Sequence, residues 1–350
     1  MRVLSLFDGM SCGQIALNRA GIKYEEYYAS EIKPSAIKVT QYNYPDTIQL
    51  GDVIGVKGED LPKIDLLMGG SPCQDFSIAR TVHEGELGER KGLKGDKSRL
   101  FYEYLRLLEE LKPKYFLLEN VRMGAESEAQ LNEYLGVKGI HINSNLVSYQ
   151  NRHRIYWTNI PGVTLPTDKG ISFQNYKDID HDYCKRFKVN RTPSREIMWG
   201  DGVNGKCPNV TERDKVNCLT RKQDRWSNSG LVEFEDFCRY LTRRELEQAQ
   251  TVPIGYTDPV SDRQAEDLLG DGWTVDIIVH ILKFMGGGDK VAKEFALYKG
   301  EELVTIGTIE EIAKSEGVKK ETIKFYGTRS YRDRLDNRKT KQAKILIPLD

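Results

Sequence analysis

The run Ile64-Asp65-Leu66-Leu67-Met68-Gly69-Gly70-Ser71-Pro72-Cys73-Gln74-Asp75-Phe76-Ser77 decides the fold. Ile64 to Leu67 is a short apolar run of the kind that fits a buried parallel strand, and Gly-Gly-Ser-Pro then takes the chain out of regular structure. A cysteine just beyond a strand stands where open α/β sheets place their chemistry. Gly69 and Gly70 let backbone and substrate approach closely, while Pro72 fixes its own φ and removes a donor. Free cysteines are often buried and structural. The flanks Gly-Gly-Ser-Pro and Gln-Asp-Phe-Ser point instead to a reactive thiol at Cys73.

The chain has 350 residues, 39% hydrophobic and 30% charged, enough for one large domain and a smaller one or an appendage. No apolar run approaches the roughly 20 residues of a membrane helix. The start, Met-Arg-Val-Leu-Ser-Leu-Phe, does not read as a signal peptide. Six cysteines without a Cys-x-x-Cys pair argue against a zinc ribbon or a disulfide framework, and for a reducing, cytoplasmic compartment with no metal. The 52 basic residues balance 52 acidic ones, but basic residues are in excess from His181 to Trp226 and again from Lys319 to Lys344. Such stretches suit phosphates; solvated charged faces are the other reading.

Val3 to Phe7 reads as a first strand, Asp8-Gly9-Met10-Ser11-Cys12-Gly13 as a turn of small residues, and Gln14 to Ala20 as a helix stopped by Gly21. Strand, glycine turn and helix begin a nucleotide-binding unit, although a plain βα connection has the same pattern. A second strand, Glu25 to Ser30, ends at Glu31, where an acid can accept from ribose hydroxyls or simply start a helix before Pro34. Gly51-Asp52-Val53 closes a third short strand, with Asp52 placed to accept from an adenine amino group. The glycine-bearing segment Ile78 to Lys97 reads as a lid, and Ser98 to Leu108 as a helix. Lys114 to Leu118 is another buried strand, ending at Glu119-Asn120-Val121, so a carboxylate joins Cys73 on one sheet edge.

Ile140 to Ser148 and Arg152 to Asn159 read as a strand pair. Arg152 and Arg154 have the same parity and fall on one face, beside Gln150. From Pro161 to Tyr240 the αβ alternation fails. Leu241 to Ala249 restores a helix, with Thr242 and Glu245 at capping-box spacing. Gly270-Asp271-Gly272-Trp273-Thr274-Val275 reads as a second glycine turn, opening an apolar helix to Leu282. Beyond a Gly286-Gly287-Gly288 linker come a hairpin, Phe295 to Ile306, and two short helices around Gly317, as in a helix-turn-helix with a basic second helix.

Together these motifs resemble the DNA (cytosine-5) methyltransferase family. Phe7 to Gly13 is similar to its S-adenosylmethionine turn, Gly70-Ser71-Pro72-Cys73-Gln74 to its nucleophile motif, and Glu119-Asn120-Val121 to its cytosine-binding motif. Gln150-Asn151-Arg152-His153-Arg154 is similar to its paired-arginine motif. Gly270 to Val275 matches its last motif, with Gly270-Asp271-Gly272 in place of the commoner Gly-Asn-Ser. Order and spacing agree over roughly Met1 to Leu282; the Gly286 to Asp350 tail lies outside the match. The Asp-Gly turn, the short variable region and Trp273 look closest to the de novo branch and its prokaryotic or phage relatives.

The resemblance implies an α/β, Rossmann-like sheet (1–160) with a small irregular target-recognition region (161–240), a return to the catalytic domain (241–285) and a helix-turn-helix-like appendage (286–350). It implies S-adenosylmethionine held by Phe7, Asp8, Gly9, Met10, Ser11, Cys12, Gly13, Glu31, Ile32, Asp52, Val53, Gly70, Pro72, Leu100, Asp271, Gly272 and Trp273. Cys73 is the implied nucleophile and Glu119 holds the ring nitrogen, with Arg152 and Arg154 also catalytic. Ser71, Pro72, Asn120, Val121, Gln150 and Arg154 touch the cytosine. The partner is duplex DNA, met by a monomer or weak oligomer in a prokaryotic or phage-infected cell. Cytosine methylation in transfer RNA, and a catalytically silent DNA-binding homologue, are the alternatives at this level.

Overall fold

The computed structural model describes residues 1–71, 99–190, 192–193, 209–223, 228–234, 236–286, 295–300, 302–307, 309–328, 331 and 343–348. Pro72, Cys73 and the Ile78 to Lys97 segment lie outside them. The chain divides into a unit over Met1–Met285 and another over Gly286–Asp350.

The first unit is built on a seven-stranded sheet. Its strands are β1 (Arg2–Leu6), β2 (Glu26–Ser30), β3 (Ile48–Gln49), β4 (Leu66–Gly70), β5 (Tyr115–Val121), β6 (Ile140–Asn143) and β7 (His153–Thr158), in the order β3-β2-β1-β4-β5-β7-β6. β1 to β5 are parallel where they pair, and β7 runs antiparallel to both β5 and β6. The strand order reverses between β1 and β4, and such a switch point opens a crevice at the carboxyl ends of the strands. The mixed α/β sheet expected from the sequence is therefore present.

Both faces of the sheet are buried. Val3, Tyr27, Met68 and Leu117 pack on one side, under α1 (Cys12–Arg19). Leu4, Leu67 and Leu118 pack on the other, with Phe101 and Tyr104 of α3 (Arg99–Leu111). Continuous apolar strands such as Leu66-Leu67-Met68 belong to parallel sheets covered on both sides. Gly13 belongs to the same packing: a Cβ there would lie 2.7 Å from Tyr27 Oη and 2.8 Å from Met68 Cε, so α1 sits on the sheet only because that position is bare.

Several elements differ from the sequence reading. Glu119, Asn120 and Val121 are inside β5, because pairing with β7 carries the strand past Leu118. β3 stops at Gln49, and Asp52 instead caps a short 3-10 turn by accepting from Ile54 N. The helix that the sequence allowed after Glu31 is α2 (Pro34–Asn43), whereas the sequence reading does not anticipate α4 (Ala125–Leu135), whose buried residues are too sparse for a clear stripe. Gly270 and Asp271 are the end of a further helix rather than a turn. The Ser261/Gln264 capping box that starts this helix is a legible signal overlooked.

After β7 the chain becomes irregular, with α5 (His181–Lys185) and a two-stranded ribbon of β8 (Val232–Glu233) and β9 (Cys238–Arg239). It returns through α6 (Arg243–Ala249), α7 (Asp262–Asp271) and α8 (Val275–Lys283). The join is electrostatic. Arg239 and Glu245 are both fully buried and paired twice, at 2.7 and 2.8 Å. Glu245 also accepts from the backbone of Asp178 and Thr242, and Arg239 donates to the Asp178 and Tyr240 carbonyls.

The second unit is a three-stranded antiparallel sheet of β10 (Phe295–Lys299), β11 (Glu302–Gly307) and β12 (Lys344–Pro348), ordered β11-β10-β12, with α9 (Ile309–Ser315) and α10 (Lys320–Tyr326). The hairpin and both helices follow the sequence pattern, whereas β12 joins from far along the chain. Among the described residues, no helix is long and apolar enough to cross a membrane.

Removing one partner of the Arg239–Glu245 pair strands a buried charge. Glu245→Ala is expected to lower unfolding free energy by about 3–5 kcal/mol, and the double change Arg239→Met/Glu245→Leu by less than Glu245→Ala. Urea unfolding of both variants checks this.

Candidate active site

A cavity of about 340 Å³ opens at the carboxyl edge of the sheet. Phe7, Asp8, Gly9, Met10 and Cys12 enter it from the turn after β1, Glu31 and Ile32 from the end of β2, and Asp52 and Val53 from the segment after β3. Gly70 and Ser71 line it from the end of β4, with Leu100 from α3. Glu119, Asn120 and Val121 come from β5, Arg152 and Arg154 from the start of β7, and Asp271, Gly272 and Trp273 from the α7–α8 junction. Three anticipated residues stand elsewhere. Ser11 and Gln150 are buried and Gly13 packs on the sheet, and none of the three lines the cavity.

The turn after β1 is held in unusual backbone. Phe7 at φ 56° and Ser11 at φ 59° are left-handed without being glycine, a conformation that costs on the order of 1–3 kcal/mol each and persists only where surroundings impose it. Asp8 is part of what imposes it. Its carboxylate accepts from the Ser11 hydroxyl and, at 2.6 Å, from the Tyr27 hydroxyl. Burial pushes the Asp8 carboxyl up to about 6, with these two hydroxyls offsetting only part of the effect. Glu31 fills the helix-starting role that the sequence allowed. One oxygen accepts from the Ile32 and Lys33 amides at the start of α2, and the other accepts from Gly9 N at 2.8 Å, tying the second strand to the turn.

At the other end of the cavity, Glu119 and Arg154 form a nearly buried pair, Arg154 Nε to Glu119 Oε1 at 2.9 Å. Asn120 donates to Ser71 Oγ at 2.9 Å, fixing the chain two residues before Cys73. Gly70 is required between these groups: a Cβ there would lie 2.7 Å from Trp273 Nε1 and 3.2 Å from Glu119 Oε2.

Arg152 points across the site. One Nη donates to Leu219 O and to Cys218 Sγ, the other to Gly270 O and Gly272 O. Gln150 continues this bracing, donating to Ala249 O and the Gln250 side chain while accepting from Leu219 N. It therefore positions backbone around the cavity. Sequence reasoning missed Cys218: burial raises this thiol, but the Arg152 and Arg154 guanidiniums outweigh it and bring it below the ordinary cysteine value. It also missed Lys33 and Arg221, which line the rim and pair with Asp267 and Asp271. Isolated charges in variable segments carry no sequence signal for such a network.

The sequence model of the C-5 cytosine-specific DNA methylase family matches residues 1–164. The type II methyltransferase M.FnuDI of Fusobacterium nucleatum is 34% identical over 339 residues, covering 94% of this chain and 87% of that protein. The chain belongs to the C-5 cytosine-specific DNA methylase family. A further family relative, the orphan methyltransferase M.Rho11sI of Bacillus phage rho11s, is 32% identical over 212 residues, 57% of this chain. The alignment spans 41% of that relative, well under half its length. In fold, this C-5 methylase chain is similar to the S. pombe Dnmt2 methyltransferase, with a TM-score of 0.65 at 20% identity over 81% of this chain and 98% of that one.

Two outcomes follow from the geometry. Gly70→Ala is expected to push Trp273 out of place and weaken S-adenosylmethionine binding roughly tenfold or more, the equivalent of about 1.4 kcal/mol, measurable by calorimetry. Asp8, raised in the folded state, stabilises the fold fully below its unfolded value of 3.8 and loses that contribution as pH rises through about 6. The unfolding free energy of the wild type relative to Asp8→Asn should therefore fall by about 2 kcal/mol between pH 4 and 6. Paired denaturant titrations across that window would read it.

Proposed function

We propose that the protein transfers a methyl group from S-adenosylmethionine to carbon 5 of a cytosine turned out of duplex DNA. The observation that carries this reading is the meeting of Gly70-Ser71, the Glu119–Arg154 pair and Trp273 around one cavity that continues to Phe7, Glu31 and Asp52. Family membership gives the reaction type. The cavity supplies a two-ended site, apolar and acidic where a nucleoside would lie, and hydrogen-bonding where a base would enter.

The residues present fit the cofactor. Glu31 just after β2 and Asp52 at the cap of the turn after β3 both line the cavity, where acids suit ribose and adenine recognition, with Phe7 and Trp273 offering ring surface. When bound, S-adenosylmethionine supplies an electrophilic methyl group on a sulfonium. Everything else falls to the chain. Cytosine carbon 5 is a weak nucleophile, so the Cys73 thiolate first adds to carbon 6. An ordinary thiol, with a pKa of ~8.5, is only slightly ionised near neutrality and needs a cationic or amide-rich setting.

As the carbon–sulfur bond forms, the displaced ring electron pair is met at nitrogen 3 by a proton shared with Glu119, leaving an enamine rather than a full anion. Arg154 holds Glu119 in place, and a ring seated there presents its carbonyl oxygen to the same guanidinium. Carbon 5 then takes the methyl group. A base removes the carbon 5 proton, the electron pair expels the thiolate, and nitrogen 3 returns its proton.

A cytosine in a duplex cannot reach this edge, so it must leave the stack, at a cost of a few kcal/mol. The irregular 161–240 region is suited to gripping the duplex while the base is out. Relatives in a Bacillus phage and in Fusobacterium support a bacterial or phage-infected cytoplasm as its setting.

Cys73→Ser is expected to abolish methyl transfer, and Glu119→Gln to lower kcat by ~10²–10⁴-fold. Tritiated-methyl transfer to duplex DNA and to transfer RNA, with bisulfite sequencing of the DNA product, reads both. Methyl transfer unchanged in Cys73→Ser, or confined to RNA, would overturn the assignment.

A further inference from the structure

The unit over Gly286–Asp350 folds around a core of its own, in which Leu297, Ile312, Ala313, Ile323 and Leu346 are buried together. No step of the methyl-transfer chemistry calls on it. Its two helices are joined through Gly317, whose φ of 65° turns the chain between them. Ile312 and Ala313 of α9 and Ile323 of α10 face the core, so both helices pack on it. What α10 and its N-cap show to solvent is Lys319, Lys320, Glu321, Lys324 and Phe325. Glu316 in the connecting turn is paired with Lys344 of β12, so its charge does not offset theirs.

Two short helices joined by a glycine turn are the elements from which a helix-turn-helix is made, where one helix meets a duplex groove and the other supports it. α10 has seven residues, a rod of about 10 Å, which suits a major groove about 12 Å wide. A lone run of lysines is usually no more than a solvated face. Here the sequence from Glu316 to Lys344 carries ten basic residues against four acidic ones, in a chain whose total charge is zero. Of these, Lys319, Lys320 and Lys324 stand exposed on α10 and its N-cap, and a polyanion is the partner that such a charge excess suits.

We propose that the C-terminal unit is a second duplex-DNA-binding site, which holds phosphates through Lys319, Lys320 and Lys324 of α10 and its cap. It rests on the methylase reading only for the choice of DNA as the polyanion. Contacts to phosphate carry no sequence information, so the site contributes affinity for any duplex and keeps the enzyme on DNA between target cytosines.

The test uses the full chain and a short dA·dT duplex, which offers no cytosine and so reports binding independently of methyl transfer. In Lys319→Ala/Lys320→Ala/Lys324→Ala, the slope of log affinity against log salt is expected to shrink by about two to three, with affinity lower on the order of tenfold near physiological salt. The matching triple change to arginine keeps the wild-type slope, and Lys324→Glu alone lowers it by about one or more. An unchanged slope in the alanine and Lys324→Glu variants would overturn the proposal. So would a loss seen with duplex RNA and not with DNA. Cys73→Ser leaves the slope in place, so a failure of the catalytic reading and a failure of this one are separately visible.

Discussion

The site depends on the direction of β7, which runs against its neighbours so that its first residues, and not its last, reach the carboxyl edge of the sheet. Val121 at the end of β5 is paired with Arg154 at the start of β7, and Glu119 with Tyr156. Were β7 parallel, its six residues would carry the arginines to the far edge, roughly 20 Å away at 3.3 Å per residue. The reversal puts guanidinium and carboxylate at 2.9 Å. It also lets Arg152, outside the strand, reach across to the Gly270 and Gly272 carbonyls.

Arg152 is the tie between regions far apart in the chain. Its guanidinium donates to carbonyls at Leu219, Gly270 and Gly272, one from the irregular 161–240 segment and two from the α7–α8 junction. Charge-assisted donation to several carbonyls compensates a cation that is only 2% exposed. Gly270 makes the contact close, since a Cβ there would come within 2.4 Å of the Thr220 backbone. Arg221, one residue further on, meets Asp267 and Asp271, which Lys33 also approaches from the start of α2. The 218–221 segment and the rim of the cavity are thus one hydrogen-bonded assembly, and Cys218 is held inside it by the same guanidinium.

Much of this was legible in the chain. The Phe7 to Gly13 turn, the Gly70-Ser71 approach, the strand-end acids and the Arg152/Arg154 parity all led to residues that meet around the cavity, because each depends on a local rule of strand period or glycine geometry. Gln150 and Gly13 carry the same motif signal but serve packing and bracing. A motif records that a residue is needed near a site and does not say whether its side chain faces the ligand or the scaffold. α4 and α7 escaped for a related reason: their buried positions are few, and their ends are better marked by caps than by apolar rhythm.

By itself the sequence determined the class of sheet and the residue types that stand at its carboxyl edge, since these follow from short-range periodicity and from composition. Tertiary structure alone decided the reversed course of β7, the Arg239–Glu245 lock, the Arg152 tie, the Lys33/Arg221 rim and the late recruitment of β12. Each joins residues separated by a long stretch of chain or set in an irregular one. Pairing of that kind is fixed by which buried donors and charges can be satisfied when the pieces pack, and no local pattern encodes it.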